Sequence, residues 1–404
     1  MDSIILKSGQ NCTGCGACVF ACPKKCISLK KDLLGNVYPK INHSICIKCN
    51  KCNKICPSVN KVNSHIPKTC YVAWSKNKKI RLNSASGGIA SSIYEYCLNN
   101  GIKTFGVRYL NNIAEFIEIN SKKNIEECKN SKYMYSYLLN SLDLIKKYVS
   151  SGEKVVIPGL PCQIAAILNI CGNRANLITI DIVCHGTCSE DYLKNHLCHI
   201  KSKNKIDFDK VCFREPTFGT QNFVFSLKNK DSLVYSAKVD SFDSYQNGYH
   251  NSLIYRNNCY KCAYAKRERI GDFTISDFSG LGNIDSFNYS KKSVSCILIN
   301  TEKGRIFLDS LLKNQIIEMY RRPIEEAYNY EKQLNHPSIP HRNVKVFQKN
   351  YIKTNDFEYS VNNAMFCDYI MNLLYIRRIK KIIILGLSKV LSINIKDKLK
   401  KLLK

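Results

Sequence analysis

The feature that most constrains this chain is a cysteine run that occurs twice near its N-terminus. The copies read C-T-G-C-G-A-C-V-F-A-C-P at residues 12–23 and C-I-K-C-N-K-C-N-K-I-C-P at residues 46–57. Both follow the spacing C-x2-C-x2-C-x3-C-P, which holds [4Fe–4S] clusters in bacterial proteins. Every cysteine of the second copy lies 34 positions after its counterpart, so the segment is an internal duplication.

The spacing also predicts which cysteines share a cluster, because in two-cluster ferredoxins the fourth cysteine of each run ligates the other cluster. One cluster is therefore assigned to Cys12, Cys15, Cys18 and Cys56, and the other to Cys46, Cys49, Cys52 and Cys22. The alternative is structural zinc, which uses separated C-x-x-C pairs and needs neither the third cysteine nor the proline. Residues 1–60 are predicted to form a small α+β bacterial two-cluster ferredoxin domain that moves single electrons.

Composition sets the wider limits. A chain of 404 residues is too long for a ferredoxin alone and leaves room for one large domain or two smaller ones. Iron–sulfur ligands are reduced thiolates, which predicts a cytoplasmic protein. The formal charge of +29 raises nucleic-acid binding as an alternative. Because the lysines are spread along the whole chain, we expect anionic redox partners and phosphorylated cofactors, and no nucleic acid.

The C-terminal segment, residues 365–404, reads as a basic amphipathic tail. Its longest unbroken apolar run, Ile382–Leu387, is too short to span a bilayer. Peripheral contact with the inner membrane surface is one interpretation. Packing against the protein itself or against a partner is the other, and it is the one that we favour.

Between residues 70 and 350 the pattern alternates between strands and helices. Strands are predicted at 71–74, 104–110, 155–157, 177–183 and 273–276, with helices through 89–98 and 165–168 and after residue 189. Such alternation predicts an α/β core with a largely parallel or mixed sheet. The motifs gather where strands end and helices begin, the usual ligand crevice of these sheets.

One motif, S-A-S-G-G-I at residues 84–89, opens the first of these helices. Glycines let a phosphate approach the backbone, and the free N–H groups of a helix start are donors for it. The simpler interpretation is a helix cap, with Ser84 or Ser86 as the capping residue.

A second set of cysteines lies beyond the ferredoxin segment: Cys162, Cys184, Cys188, Cys259 and Cys262. The pair Cys259–Cys262, together with Cys162 and Cys184 at strand ends, would hold a third cluster. The alternatives are buried free thiols for the strand-end pair and zinc for the C-x-x-C pair. His185 is a candidate catalytic proton donor; the alternative is a structural role, which is the more common one for a lone histidine.

Six ordered motifs now identify a family. They are S-A-S-G-G (84–88), N-S-K-Y-M-Y-S (130–136), G-L-P-C-Q (159–163), D-I-V-C-H-G (181–186), N-C-Y-K-C-A-Y-A (258–265) and R-I-G-D-F-T-I-S-D-F (269–278). With the two-cluster segment they resemble the coenzyme F420 hydrogenase/dehydrogenase beta-subunit family over about residues 1–350. The resemblance divides the core into an N-terminal part, 70–150, and a C-terminal part, 151–350.

The resemblance implies FAD beside the clusters, with the flavin exchanging a hydride with an organic substrate or deazaflavin. It also strengthens the interpretation of a third cluster. Candidate cofactor-binding residues on the matching motifs are Ser86, Gly87, Gly88, Lys132, Ser136, Gly159, Arg269, Asp272 and Asp277. The family ending G-D-F-W-G reads S-D-F-S-G at residues 276–280, which retains Asp277 but changes the expected substrate pocket.

Two functions follow as expectations. The first is an iron–sulfur flavoprotein oxidoreductase that couples FAD chemistry to one-electron transfer through the N-terminal clusters, with polysaccharide metabolism as one context. A ferredoxin-like donor or acceptor would be its redox partner. The alternative is a non-catalytic electron-relay subunit that feeds a partner enzyme. Genome neighbourhood and flavin content would distinguish the two.

Overall fold

The computed structural model describes residues 11–239, 241–290 and 292–373. The strands are β1 (Ile27–Lys31), β2 (Val37–Ile41), β3 (Thr69–Ser75), β4 (Lys103–Leu110), β5 (Ile113–Glu118), β6 (Ser136–Tyr137), β7 (Val155–Gly159), β8 (Leu177–Ile182), β9 (Lys210–Cys212), β10 (Phe225–Asn229), β11 (Ser232–Ala237), β12 (Phe273–Asp277), β13 (Ser295–Ile299) and β14 (Ile317–Arg322). The helices are α1 (Ala17–Phe20), α2 (Lys51–Ile55), α3 (Lys78–Leu82), α4 (Ile89–Asn99), α5 (Lys122–Cys128), α6 (Leu139–Ser150), α7 (Pro161–Cys171), α8 (Glu190–Asn204), α9 (Ser244–His250), α10 (Glu302–Lys313), α11 (Glu325–Tyr328), α12 (Val344–Thr354) and α13 (Phe357–Leu373).

The N-terminal cysteine runs form a small module of two short helices and one hairpin. Helices α1 and α2 each follow the first cysteines of their run, and β1 pairs antiparallel with β2 between them. Cys18, Cys26, Ile27 and Cys52 are buried in one cluster, so sulfur makes up much of the module's interior. The predicted α+β ferredoxin domain is confirmed.

The core is a nine-stranded mixed sheet in the order β14-β3-β13-β12-β8-β7-β4-β5-β6. Its four central strands, β12, β8, β7 and β4, run parallel to one another. Strands β3, β13 and β14 extend one side with antiparallel pairings, and a third, three-stranded sheet is built from β9, β10 and β11. The predicted α/β core with a mixed sheet is confirmed, and strands from 70–150 and 151–350 contribute to the same sheet.

The residues of the central strands explain their position. All five residues of β7 are buried, as expected for a strand covered on both faces. One face packs against α6 and α7 through side chains such as Leu142, Ile157 and Ile164. The opposite face packs against α4 and α10 through Ile93, Ile297 and Phe307. Helices therefore cover the two faces, and the strand ends remain open for ligands.

The ferredoxin module and the core belong to one compact unit, which ends at His341. The Tyr135 hydroxyl donates to the Gly14 carbonyl at 2.5 Å, and the buried Arg256 guanidinium donates to the Val37 carbonyl at 3.0 Å. Further contacts join Asn169 to the carbonyls of Ile55 and Asn60, Ser189 to that of Gly35, and Lys31 to Glu190 and Asp191. The module is thus fixed against the core.

The second compact unit begins at Arg342, earlier than the boundary at 350 that the resemblance predicts. Its described part consists of α12 and α13, where the Phe347 and Phe357 rings meet edge to face with centroids 6.1 Å apart. Residues 374–404, with most of the predicted tail and its run Ile382–Leu387, lie outside the described residues. In the part of the chain that the structure describes, no helix has the length and apolar character needed to cross a membrane.

Candidate functional site

The site lies at the carboxyl ends of the central parallel strands. Strand β7 is followed by Cys162 in the first turn of α7, β8 is followed by Cys184, and β12 ends on Asp277. Because parallel strands end at the same edge of a sheet, their topology brings these three motifs together. This edge also faces the ferredoxin module, whose residues Asn11 and Thr13 line a cavity with Cys162.

The cysteines assigned to the first ferredoxin cluster converge. Burial raises the pKa of the Cys15 thiol to about 11, and the neighbouring Cys12 and Cys56 thiols add to the upward shift. The pKa of the Cys18 thiol is likewise raised by burial and then by Cys15, Cys12 and Cys56. Neighbouring thiols that hinder one another's ionisation fit a cationic iron centre, which would stabilise them as thiolates.

The second set is more open to solvent. Cys52 is buried, Cys22 and Cys46 are half-buried, and Cys49 is exposed. Burial raises the pKa of Cys52, and the Cys46 and Cys49 thiols add to the shift. Sequence reasoning missed Cys26, whose sulfur lies 3.3 Å from that of Cys22. Its signal was present in the sequence C-P-K-K-C, but nothing in the duplicated pattern required it.

The third set of cysteines surrounds a cavity of about 190 Å³ between the module and the sheet edge. Cys162 and Cys184 line it together with Cys259, the first residue of the short 3₁₀ helix Cys259–Lys261, and Cys262, which caps the end of that helix. Burial is the largest cause that raises the pKa of the Cys162 thiol well above its usual range. The neighbouring thiols raise it further, in the order Cys262, Cys184, Cys259 and Cys15. The geometry fits a third cluster site, with the first site as its neighbour.

Cys188, the fifth cysteine of this set, lies apart from the cavity. Its thiol contacts the Tyr133 carbonyl and the Tyr245 hydroxyl.

Beside this cavity lies a larger one of about 700 Å³. Cys184, His185, Gly186 and Thr187 line both, so one segment after β8 separates the two cavities. Tyr133 and Tyr249 stack in the wall of the larger cavity with their ring centroids 4.6 Å apart. The volume and the aromatic wall suit an organic cofactor with its substrate.

The motif at 84–89 lies at this larger cavity, but its serines do not have the capping role that the sequence predicts. Neither Ser84 nor Ser86 caps α4; the N-cap is Gly88, with φ of +82° and no side-chain cap. The Ser86 hydroxyl instead donates to the Val294 carbonyl at 2.6 Å. The capping prediction was wrong because strand β13 is near enough to bond the serine.

Gly87 is required by packing between strands. A Cβ atom there would lie 2.4 Å from the Ala73 carbonyl oxygen, and the Gly87 N–H already donates to the Ser295 hydroxyl at 2.9 Å. The donors left for an anion are the first N–H groups of α4, because residues 89–91 line the cavity and no side chain caps them. The helix start fits a phosphate, whereas the Gly87 N–H does not.

Three other predicted residues also line the larger cavity. The Lys132 ammonium donates to the carbonyls of Glu127 and Lys129 at 3.1 and 2.6 Å, and desolvation lowers its pKa to about 8. The Ser136 hydroxyl accepts a hydrogen bond from Gln163 at 2.9 Å. Gly159 ends β7 at the cavity wall. The Asn130 carbonyl, at 3.4 Å, is a third and more distant partner of the Lys132 ammonium. All three partners are neutral and leave its charge unbalanced, so an anionic group could take over the donor of the longest of these bonds.

Arg269 and Asp272 have different positions from those expected of flavin ligands. Arg269 is buried and pairs with the buried Asp181 at 3.1 Å, so its charge is balanced within the protein, and it lines only the smaller cavity. The Asp272 carboxylate accepts from the Thr179 N–H at 2.8 Å and from the Thr301 hydroxyl at 2.8 Å. Asp272 lines neither cavity; it ties β8 to the start of α10.

Asp277 faces the larger cavity and pairs with Arg214 at 2.8 Å. The Arg214 guanidinium also covers the Phe223 ring, 4.2 Å from its centroid. Sequence reasoning missed Arg214, since it comes from the segment after β9 and belongs to no motif. Only the folded structure shows that the Arg214 guanidinium is the counter-charge of Asp277.

His185 has an acidic neighbour that the sequence did not indicate. Its Nε2 lies 3.6 Å from a carboxylate oxygen of Glu331, and both side chains line the larger cavity. Desolvation lowers the pKa of His185. Burial raises the pKa of Glu331 to about 7, and the nearby Asp277 charge adds to this shift. Glu331 is therefore the member of this pair that can gain or lose a proton near neutral pH.

The described residues contain no close set of three His, Cys, Asp or Glu side chains suited to a single metal ion. The assignment of cysteines to clusters therefore depends on their spacing, their burial and their mutual electrostatic effects.

Three family models match the chain in the order of its domains. A 4Fe-4S dicluster domain matches residues 11–60. The N-terminal model of the coenzyme F420 hydrogenase/dehydrogenase beta subunit matches residues 70–143, and the C-terminal model matches residues 152–324. The last two describe one kind of subunit and together cover more than half of the chain.

Similar proteins include a dehydrogenase subunit, an uncharacterized protein and one chain of a solved complex. An F(420)H(2) dehydrogenase subunit of Methanosarcina mazei is 23% identical over 313 residues, covering 74% of this chain and 81% of that protein. An uncharacterized protein of Methanocaldococcus jannaschii is 23% identical over 352 residues, covering 76% and 88%. A solved chain of the F420-reducing [NiFe] hydrogenase complex from Methanosarcina barkeri is 17% identical, with a TM-score of 0.42, and the match covers 74% of this chain and 91% of that one.

Proposed function

Because the chain belongs to the coenzyme F420 hydrogenase/dehydrogenase beta-subunit family, we propose that it is an FAD-dependent iron–sulfur oxidoreductase. It is an iron–sulfur oxidoreductase-like subunit with an N-terminal dicluster domain. The flavin and its substrate are the proposal. One observation supports it most: the larger cavity shares the wall 184–187 with the cysteine-lined cavity, so a flavin there would adjoin a cluster.

When bound, FAD supplies two-electron hydride chemistry and the clusters supply one-electron transfer. Three cluster sites and one flavin site would form a series. Cys49 of the second site is exposed, three of the four cysteines of the first site are buried, and Cys15 of the first site is near Cys162 of the third. In the proposed order, electrons would pass between the protein surface at Cys49 and the cavity through the first and third sites.

The chain's own residues would bind and orient the flavin. The free N–H groups at the start of α4 and the Lys132 ammonium would hold its phosphates. The stacked rings of Tyr133 and Tyr249 supply an apolar wall. Glu331, with its pKa near 7, and His185 would exchange a proton with the substrate in the larger cavity.

The substrate that we propose is an organic molecule or a deazaflavin with an anionic group. Lys132 lines the cavity as a cation bonded to neutral carbonyls, and Arg214, whose charge Asp277 balances, is held by Asp277 and Thr220 and so offers donors that are fixed before a ligand arrives. The polysaccharide context stays a prediction. A one-electron carrier protein is the proposed redox partner.

Cofactor analysis of anaerobically purified protein tests this function. The proposal predicts about one FAD per chain and about twelve iron atoms, four for each of three clusters. A matched variant, Glu331→Gln, should keep flavin and iron but slow flavin reduction by substrate. Normal iron with no flavin, even after reconstitution with FAD, would favour the electron-relay alternative and contradict the enzyme.

A further inference from the structure

The ferredoxin module has a strongly one-sided charge that the flavin site does not use. Residues 11–60 contain eight lysines, at positions 24, 25, 30, 31, 40, 48, 51 and 54, and one acidic residue, Asp32. The Asp32 carboxylate accepts from the N–H groups of Leu34 and Asn36, at 2.9 and 2.7 Å. It therefore stabilises its own turn and balances little of the positive charge on the surface.

Five of these lysines are tied by sequence to the second cluster site. Lys24 and Lys25 lie between Cys22 and Cys26, Lys48 lies between Cys46 and Cys49, Lys51 lies between Cys49 and Cys52, and Lys54 follows Cys52. All five are exposed, and within the described ranges none of them forms an ion pair. Lys31 differs, because Glu190 and Asp191 of the core neutralise it at 2.8 and 2.7 Å.

The segment around Cys46 also exposes apolar side chains. Ile45 and Ile47 are 50% and 56% exposed on either side of Cys46, and Cys49 beside them is exposed. Exposed isoleucines next to a redox ligand, together with unpaired lysines between the ligands of the same cluster site, have the composition of a transient docking face. Cys12, Cys18 and Cys56 of the first cluster site, by contrast, are buried.

We infer that this face, formed by Lys24, Lys25, Ile45, Ile47, Lys48 and Lys51, is the docking surface for an acidic one-electron carrier protein. This inference rests on the proposed electron-transfer function and names the surface and the charge of the partner. One electron passes between the second cluster site and the carrier, one being oxidised as the other is reduced, and no bond forms or breaks. Charge complementarity accelerates the encounter, and the isoleucines form the contact through which the electron leaves.

The test uses the full chain with its clusters chemically reduced, so it is independent of the flavin and of the substrate. The probes are an acidic flavodoxin and, with the opposite charge, a basic cytochrome c. Binding of labelled flavodoxin is followed by fluorescence anisotropy, and electron transfer by stopped-flow absorbance, at ionic strengths from about 10 mM to 500 mM. The variant is Lys24→Glu/Lys25→Glu/Lys48→Glu, and the control with the same charge change is Lys78→Glu/Lys79→Glu/Lys122→Glu, outside the module.

At low salt the module variant should bind flavodoxin about 10- to 100-fold more weakly, and its electron transfer to flavodoxin should be slower by a similar factor. The control variant should change little in either affinity or rate. The difference should shrink as salt screens the charges, and cytochrome c should react faster with the module variant than with the wild type. Ile47→Ser should weaken flavodoxin binding at high salt as well. Iron content should stay unchanged throughout.

Each of the following results would overturn the inference: equal losses in both triple variants, a wild-type rate that does not depend on salt, or a weakening of flavodoxin binding that leaves cytochrome c unaffected. Loss of binding to anionic phospholipid vesicles with unchanged flavodoxin kinetics would assign the lysines to a membrane surface and would also overturn it. A protein without flavin that still shows the predicted charge effects would contradict the proposed enzyme but not the docking surface.

Discussion

The ferredoxin module and the sheet edge that it faces gather cysteines in opposite ways. In the module, eight predicted ligands lie within residues 12–56, and two short runs supply all of them. At the sheet edge, four cysteines come from residues 162, 184, 259 and 262, and the order of the strands brings them together. Short-range spacing in the sequence determines the first arrangement. The second arrangement forms only when the core folds and brings distant cysteines together.

This difference predicts different responses to the loss of a ligand. Cys15→Ala should have the largest effect, because sulfur makes up much of the module's interior and few apolar residues can replace it. We expect the loss of about four iron atoms and local unfolding of the module, measured by iron analysis and hydrogen exchange. Cys198→Ala, which changes an exposed cysteine, is the control. A variant that keeps its iron would break the assignment of the first cluster.

The double change Cys259→Ala/Cys262→Ala should have a more confined effect. About four iron atoms should be lost, while the core stays folded because the nine-stranded sheet does not depend on these thiols. Circular dichroism and iron analysis together measure this. The control Cys198→Ala/Cys367→Ala removes two exposed cysteines. Unchanged iron in the folded double variant would return Cys259 and Cys262 to the class of structural thiols.

Gly87→Ala separates packing from cofactor binding. The new Cβ would meet the Ala73 carbonyl oxygen at 2.4 Å, and neither strand can move away, so we expect about 3 kcal/mol of lost stability. Denaturant unfolding measures this loss. The FAD affinity of the folded fraction should be unchanged, because the Gly87 N–H is already bonded to Ser295. Specific loss of FAD without loss of stability would restore the phosphate role of this glycine.

Lys132→Met should have the smallest effect. Removing the enclosed ammonium from the cavity should weaken FAD binding by about 2 kcal/mol, the scale of a hydrogen bond to a charged group. Because desolvation lowers the Lys132 pKa to about 8, the ammonium is charged below that pH and its attraction for phosphate is lost above it. Wild-type affinity should therefore fall as the pH rises through about 8. The variant should lose this dependence, whereas the exposed control Lys122→Met keeps it.

The same contrast explains what could be predicted from sequence. The ferredoxin domain and the central strands follow from spacing and from runs of apolar residues, and both predictions are confirmed. Arg269 resembles a phosphate ligand in sequence because it is basic and lies close to a glycine, but the sheet buries Asp181 nearby and requires a counter-charge. Glu331 and Arg214 were missed because burial and distant neighbours, which no local pattern records, determine their chemistry.

The exposure of Cys49 has a consequence for oxygen. Thiolates that face solvent are the ones that oxidants reach first, and oxidation of a ligand releases its iron. Air should therefore damage the second cluster of the dicluster domain before the first, three of whose four cysteines are buried. A protein exposed briefly to oxygen would keep most of its iron and its reaction at the sheet edge. It would nevertheless have lost the cluster site through which it exchanges electrons with a carrier protein.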